Sequence, residues 1–200
     1  MKKLRKKFGK GIRFFQCGEY GGSTGRAHHH ALLFGLDFPD KYFWTQRDGY
    51  RYYRSPSLEA LWPQGNSLIT DVTFESAAYV ARYITKKITG DAAEEHYKGR
   101  VPEYITMSRR PGIAAGWFEK YKTDVYPSDE VIIRGKKMRP PRYYDKLFDV
   151  EDSAVMSRIK RVREKRAAGH KENNTEERLA VREIVQLARF KKLKRGYENG

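Results

Sequence analysis

Residues 13 to 35, RFFQCGEYGGSTGRAHHHALLFG, constrain the fold more than any other stretch. GIRFFQCG, from Gly11, and AHHHALLFGLDF, from Ala27, are rich in aromatic and β-compatible residues, and the intervening EYGGSTGR is turn-forming. The two runs are predicted to pair as an antiparallel hairpin with a glycine-rich connection longer than the tightest turns. Side chains alternate along a strand, so His28 and His30 share one face and His29 takes the other. Glu19, at the end of the first strand, can reach the histidine pair across the hairpin.

SAAYVARYITKKITG, from Ser76, is the clearest helix: Ser76 or Thr73 caps its start, the alanines favour it and Gly90 ends it. SLITDVTF before it reads as a strand. The start, MKKLRKKFG, reads as the end of a basic amphipathic helix with Leu4 and Phe8 on one face and Gly9 as its stop. Lys41 to Pro63 reads as an aromatic-bearing loop in which Ser57 caps one short helical turn. DAAEEHYKGR is a polar stretch leading to EYITMSRRPGI, GWFEKYKTDVY reads as a packed helix, and VIIRGKKMRPPRYY as a hairpin or one strand with a turn at Gly135. From about Glu151 the composition shifts to 14 Lys and Arg, 8 Asp and Glu and no Trp or Pro, with helical faces at Val155, Ile159 and Val162 and at Leu179, Val181, Ile184 and Leu187, parted at AAGHKENN. The expectation is an α+β protein: an antiparallel central sheet with packed helices over residues 1–148, and a basic helical or partly disordered extension over 149–200.

Bulk properties narrow the partners. The 200 residues hold 41 Lys and Arg against 25 Asp and Glu, a formal charge of +16, which favours a polyanion. Cys17 is the single cysteine, so neither an intramolecular disulfide nor a cysteine-based zinc cluster can form within the chain. No run approaches the apolar length of a membrane span, and the basic start is not followed by a signal-peptide core.

Two constellations carry chemistry. Two imidazoles on one strand face with a carboxylate, leaving positions for phosphate and water, suit Mg²⁺ or Mn²⁺, although histidines alone also accept zinc. Tyr79 and Tyr83 lie one helical turn apart, Lys86 returns close to Tyr79, and Arg82 and Lys87 flank the stripe. Cations beside two phenols on one exposed face can hold phosphate and ease phenolate formation, and a phenolate is a competent nucleophile. Each half has a plainer reading: an HxH pair is often structural, and tyrosines four apart are often core residues with snorkelling lysines.

Together the two halves are more specific. RFFQCGEYGGSTGRAHHHALLFG with VTFESAAYVARYITKK, MSRRPGIAAGWFEKY and RGKKMRPPRYYD resembles the HUH endonucleases, in particular the replication initiators of the gokushovirus-like microviruses, along most of residues 1–148. The resemblance implies an RRM-like or ferredoxin-like sheet, His28, His30 and Glu19 as ligands of Mg²⁺ or Mn²⁺, and Tyr79 and Tyr83 as nucleophiles. It further implies Lys86, then Lys87, as the helper lysine, with Arg82, Arg109 and Arg110 as nucleic-acid contacts. The implied reaction is nicking of single-stranded phage origin DNA through a 5′-phosphotyrosyl link, with rejoining during rolling-circle replication in the host bacterial cytoplasm. A host helicase and polymerase are the implied partners. Two departures stand out: His29 occupies a position usually bulky and hydrophobic, implying a partly buried imidazole or an irregular register, and the family has a longer upstream segment with a sheet strand, implying N-terminal truncation. The runner-up is a non-catalytic nucleic-acid-binding protein, with Tyr52, Tyr53 and Trp62 as candidates to stack on bases. A relaxase or transposase of the same chemistry is closer than another metal-dependent phosphoesterase; the histidine-triad signature would want a histidine at Leu32.

Overall fold

The structure is a computed structural model that describes residues 1–21 and 24–192, without the side chains of Ile84 and Lys86. The fold is α+β, in two compact units that part between Ile113 and Ala114. The division expected near residue 148 falls instead inside a helix of the second unit.

The first unit is built on the predicted hairpin. Strands β1 (Arg13–Tyr20) and β2 (Ala27–Phe34) pair antiparallel in unbroken register from Arg13↔Phe34 to Tyr20↔Ala27. β5 (Tyr104–Met107) adds antiparallel to the other edge of β1, giving the order β2-β1-β5. Helix α1 (Lys2–Phe8) ends at Gly9, whose φ of 106° suits glycine. Arg5 ties this helix to the sheet by donating to the Ile12 carbonyl at 2.9 Å and to Ser108 Oγ at 3.1 Å. Leu4, Ile12 and Phe38 form a core with Leu33, Leu58 and Leu61 packed on it.

The segment 41–63, expected as a loop, forms a ribbon and a helix. β3 (Tyr42–Arg47) and β4 (Tyr50–Arg54) pair about a two-residue turn at Asp48 and Gly49, both at positive φ. Its run of aromatic residues conceals the strand alternation, because a bulge inserts Trp44 between paired positions. Helix α2 (Pro56–Leu61) is capped by Ser55 rather than Ser57: Ser55 Oγ accepts from Leu58 N at 3.1 Å, and Pro56 fits the first turn because its missing N–H costs nothing there. Asp40 braces this cap, accepting from Ser55 Oγ at 2.5 Å and from Ser57 N at 2.7 Å. These bonds, the Ser55 hydroxyl's first, lower its carboxyl to about 2.

SLITDVTF does not form the expected strand. Only Ile69 pairs, through two 2.8 Å bonds with Tyr53. The next helix is shorter than predicted: α3 (Phe74–Ala81) tightens into a 3₁₀ segment over Arg82–Lys86 before Gly90. Thr73 is its cap and Ser76 reciprocates, completing a capping box. The polar stretch after Gly90 contains α4 (Ala92–Tyr97).

In the second unit, α5 (Ala115–Val125), α6 (Arg142–Glu151) and α7 (Ser153–Ala168) enclose Phe118, Val125, Tyr126, Tyr144, Met156 and Ile159. The predicted hairpin turns at Arg134 and Gly135 between β6 (Val131–Ile133) and β7 (Lys136–Met138). Met156 and Ile159 make the beginning of the expected extension part of this core, whereas Val162 is exposed. α8 (Glu176–Lys191) has no buried residue, so its apolar face at Leu179, Ile184 and Leu187 is exposed. No helix among the described residues is long and apolar enough to cross a membrane.

Candidate active site

The site lies on one face of the β1–β2 hairpin. Glu19 stands opposite His28 and Cys17 opposite His30, so cross-strand register puts all four on the same face. Helix α3 and the 3₁₀ turn cover it: Tyr79, Val80 and Tyr83 share a core with Cys17 and Leu32, and Cys17 Sγ approaches the Val80 carbonyl at 3.9 Å. The sequence pattern of an alternating strand and a helix with tyrosines four apart is thereby converted into one packed layer.

Within that layer, Glu19 is buried and its Oε1 lies 3.2 Å from His30 Nε2. A buried carboxylate requires such a partner, because an unpaired charge pays the full desolvation cost. The His30 ring stacks on Tyr83 at 4.5 Å and 14° and meets Tyr79 edge-on at 6.3 Å. Tyr83 donates a short hydrogen bond from its hydroxyl to that of Tyr79, the two rings standing nearly perpendicular.

The tyrosines are not on an exposed face: Tyr79 is 7% and Tyr83 5% exposed. They pack toward the sheet because Ala77 and Val80 share their side of the turn and carry the helix onto Cys17 and Leu32. Arg82 is partly exposed and Lys87 exposed, while the Lys86 side chain lies outside the described residues. Arg109 and Arg110 are exposed at the other end of β1, where Met107 opposes Phe15 and Ser108 Oγ accepts from Phe14 N. Phe15 and Glu19 are four residues apart, roughly 13 Å along a strand, so these arginines stand apart from the His30–Glu19 pair.

The donor set has the chemistry for a hard divalent ion, two imidazoles and a carboxylate on one face. Glu19 and His30 are already together, whereas the His28 ring lies over the turn, where a methyl on Gly21 would come within 2.8 Å of its Cε1. Among the described residues no three His, Cys, Asp or Glu side chains are gathered as an ion site.

His29 corrects an expectation. The register around it is regular and its imidazole is exposed on the opposite face, edge-on to Trp62 at 5.1 Å and with Nδ1 3.3 Å from the Tyr104 hydroxyl. Gly18 makes room for Tyr104, since a methyl there would lie 2.5 Å from its ring. Nothing in the spacing anticipates Tyr97 either. Its hydroxyl donates to Glu103 and accepts from Ile88 N at 2.9 Å, bracing the chain just after the tyrosine segment. Burial, then the Glu103 bond, raises the Tyr97 phenol above its ordinary value.

The geometry thus defines a class, an α+β unit with an imidazole–carboxylate pair stacked against two hydrogen-bonded phenols. Residues 1–88 match the family of the replication-associated protein ORF2. The chain is 34% identical over 179 residues to replication-associated protein ORF2 of Spiroplasma virus 4, a match covering 82% of this chain and 54% of the relative. It is 32% identical over 155 residues to replication-associated protein VP4 of Bdellovibrio phage phiMH2K, covering 72% and 48%. Replication-associated protein ORF4 of Chlamydia phage 1 is 30% identical over 147 residues, covering 70% and 36%. The chain belongs to this family of replication-associated proteins, and it spans about half the length of the first two relatives. No solved structure matches it significantly.

Proposed function

We propose that the chain carries the nicking and joining centre of a rolling-circle replication initiator acting on single-stranded phage origin DNA. The observation that carries this reading is the packing of Tyr79 and Tyr83 against His30 on the sheet face that also holds Glu19 and His28. A binding module has no chemical need for two phenols beside an imidazole–carboxylate pair. The replication-associated relatives support the same reading.

In the reaction, one phenol oxygen attacks the scissile phosphorus in line, forming the tyrosyl O–P bond as the P–O3′ bond breaks. The phenol loses a proton and the departing 3′ oxygen gains one. One phosphodiester is exchanged for another, so no nucleotide cofactor is consumed. The freed 3′ end primes synthesis, and the second tyrosine later cuts the regenerated origin while the 3′ hydroxyl releases the first link. His28, His30 and Glu19 would hold Mg²⁺ or Mn²⁺, which when bound neutralises charge on the scissile phosphate. Arg82 and Lys87 present positive charge beside the tyrosine segment for the flanking phosphates, and Lys86 follows from the same spacing.

Burial of both phenols favours a second reading, a non-catalytic nucleic-acid-binding protein. The two part on one experiment. The chain is incubated with a labelled single-stranded origin oligonucleotide and Mn²⁺ or Mg²⁺, then run on a denaturing gel. A covalent protein–DNA band is expected, lost in the Tyr79→Phe plus Tyr83→Phe variant and in His30→Ala; a band that survives both tyrosine substitutions refutes the tyrosine mechanism.

A further inference from the structure

The β3–β4 ribbon is a second place where the chain meets its substrate. Its register sorts the side chains. Tyr42↔Arg54, Thr45↔Tyr52 and Arg47↔Tyr50 project to one side, and Phe43↔Tyr53 and Gln46↔Arg51 to the other. Trp44, the bulged residue, takes the first side, because the Arg54 guanidinium lies 4.8 Å over its ring. One face of a two-stranded ribbon therefore carries Tyr42, Trp44, Tyr50 and Tyr52 with Arg47 and Arg54.

That face is in water, with Tyr42 46%, Trp44 51% and Tyr50 38% exposed. Large rings left uncovered in a row mark a contact surface rather than a core. The root of the ribbon is fixed by the two Tyr53–Ile69 bonds and by Lys41 over the Tyr53 ring at 5.1 Å. Arg54 is also held, by Glu59 at 2.7 Å, so it fixes the Trp44 indole from one side. Arg47, by contrast, forms no ion pair among the described residues and is exposed.

Charge decides the occupant. Lys41, Arg47, Arg51 and Arg54 stand against Asp48 alone in this ribbon, within a chain of formal charge +16. Rings that accept flat faces, interleaved with cations that accept phosphates, match unpaired bases on their own backbone. Duplex DNA hides its base faces, and an apolar protein surface would leave the arginines without partners.

We propose that this face is a stacking platform for successive unpaired bases of single-stranded DNA, positioning substrate independently of the tyrosine chemistry. Arg47 supplies the phosphate contact and Trp44 the principal stacking surface. The inference rests on the reading that single-stranded DNA is the substrate, and it deepens that reading by assigning the residues that hold the strand.

The test uses the whole chain and fluorescence anisotropy with a labelled oligothymidylate of about fifteen nucleotides, within the span of known single-strand sites. Trp44→Ala is expected to weaken binding by about 5- to 100-fold, as loss of one base–aromatic stack does. Trp44→Phe should recover most of the affinity, and binding to a duplex of equal length should not change. Circular dichroism checks that the exposed substitution leaves the fold intact. Unchanged oligothymidylate binding in Trp44→Ala and in the double variant Tyr42→Ala plus Trp44→Ala overturns the proposal. An equal loss on duplex does so too, as does a wild-type dimer that Trp44→Ala dissociates while DNA binding is retained. Failure of the nicking reading looks different: no covalent adduct in the wild type, with Trp44-dependent binding intact.

Discussion

Replacing Arg163 by methionine tests whether the start of the basic C-terminal segment is an appendage or a structural part of the second unit. Arg163 is paired with two carboxylates, donating to Asp145 at 2.8 Å through Nη1 and to Asp129 at 2.9 Å through Nε, with a second, shorter bond to Asp129. The Arg163 and Asp129 side chains are each 12% exposed and that of Asp145 13%, so solvent does little to screen them. Burial alone would raise Asp145, yet the Arg163 and Tyr126 hydrogen bonds hold it below its ordinary value. Methionine keeps most of the packing volume but strands both carboxylates. Breaking a buried pair from one side costs about 3–5 kcal/mol. The lower end applies here because Tyr126 still donates to Asp145 at 2.6 Å. A loss of about 3 kcal/mol should speed hydrogen exchange in peptides of α5 to α7 about a hundredfold wherever exchange reports unfolding of the unit. Neutralising the carboxylates as well, with Asp129→Asn and Asp145→Asn, should return much of it. The pH sense follows from the depressed Asp145: the wild-type pairing contributes fully above the unfolded carboxylate value near 3.9 and is lost as pH falls through the lower folded value. The gap between wild type and Arg163→Met must therefore close on acidification. Exchange within threefold of wild type at neutral pH, or a gap that widens in acid, would refute the reasoning.

Three further outcomes follow from the first unit. Asp40 should titrate near 2 in a carboxyl NMR series, and its share of stability, present above the unfolded value near 3.9, should be lost as pH falls through about 2; a measured value of 3.9 or more contradicts the Ser55–Asp40 brace. Thr73→Ala should cost about 1 kcal/mol in chemical denaturation through loss of the α3 cap, and no change would mean that Ser76 holds the helix start unaided. Gly18→Ala should destabilise the sheet because its new methyl meets the Tyr104 ring; adding Tyr104→Ala should relieve the clash, and strictly additive losses would locate the strain elsewhere.

Where the sequence was legible, one period dominated. The β1–β2 hairpin declares itself through two β-compatible runs about a glycine-rich turn, and Glu19 follows from the reach across it. The β3–β4 ribbon was hidden because YFWTQR and YRYYR carry aromatic residues on both faces, leaving no apolar alternation to detect. Placement of the tyrosines failed at a finer level. Residues four apart share a helix face, but whether that face meets water or sheet is decided by Cys17 and Leu32, far away in sequence. The α7 boundary was missed for the same reason: Met156 and Ile159 sit among basic residues, and only tertiary packing on Phe118 and Tyr144 makes them core.

The candidate site depends on strand register more than on any single residue. His30 makes two contacts at once, with Glu19 through Nε2 and with Tyr83 through its ring face. The imidazole is thereby the link between the strand carboxylate and the phenol pair. A one-residue slip of β2 would send His30 to the opposite face and bring His29 inward. The substituted imidazole would no longer stand opposite Cys17, and Tyr83 would lose its stacking partner. What fixes the register lies on the other face. There His29 meets Trp62 and Tyr104, and Tyr104 fits only because Gly18 has no side chain. The middle histidine, which the family pattern would make a bulky apolar residue, thus pins from outside the register that aligns its two neighbours inside.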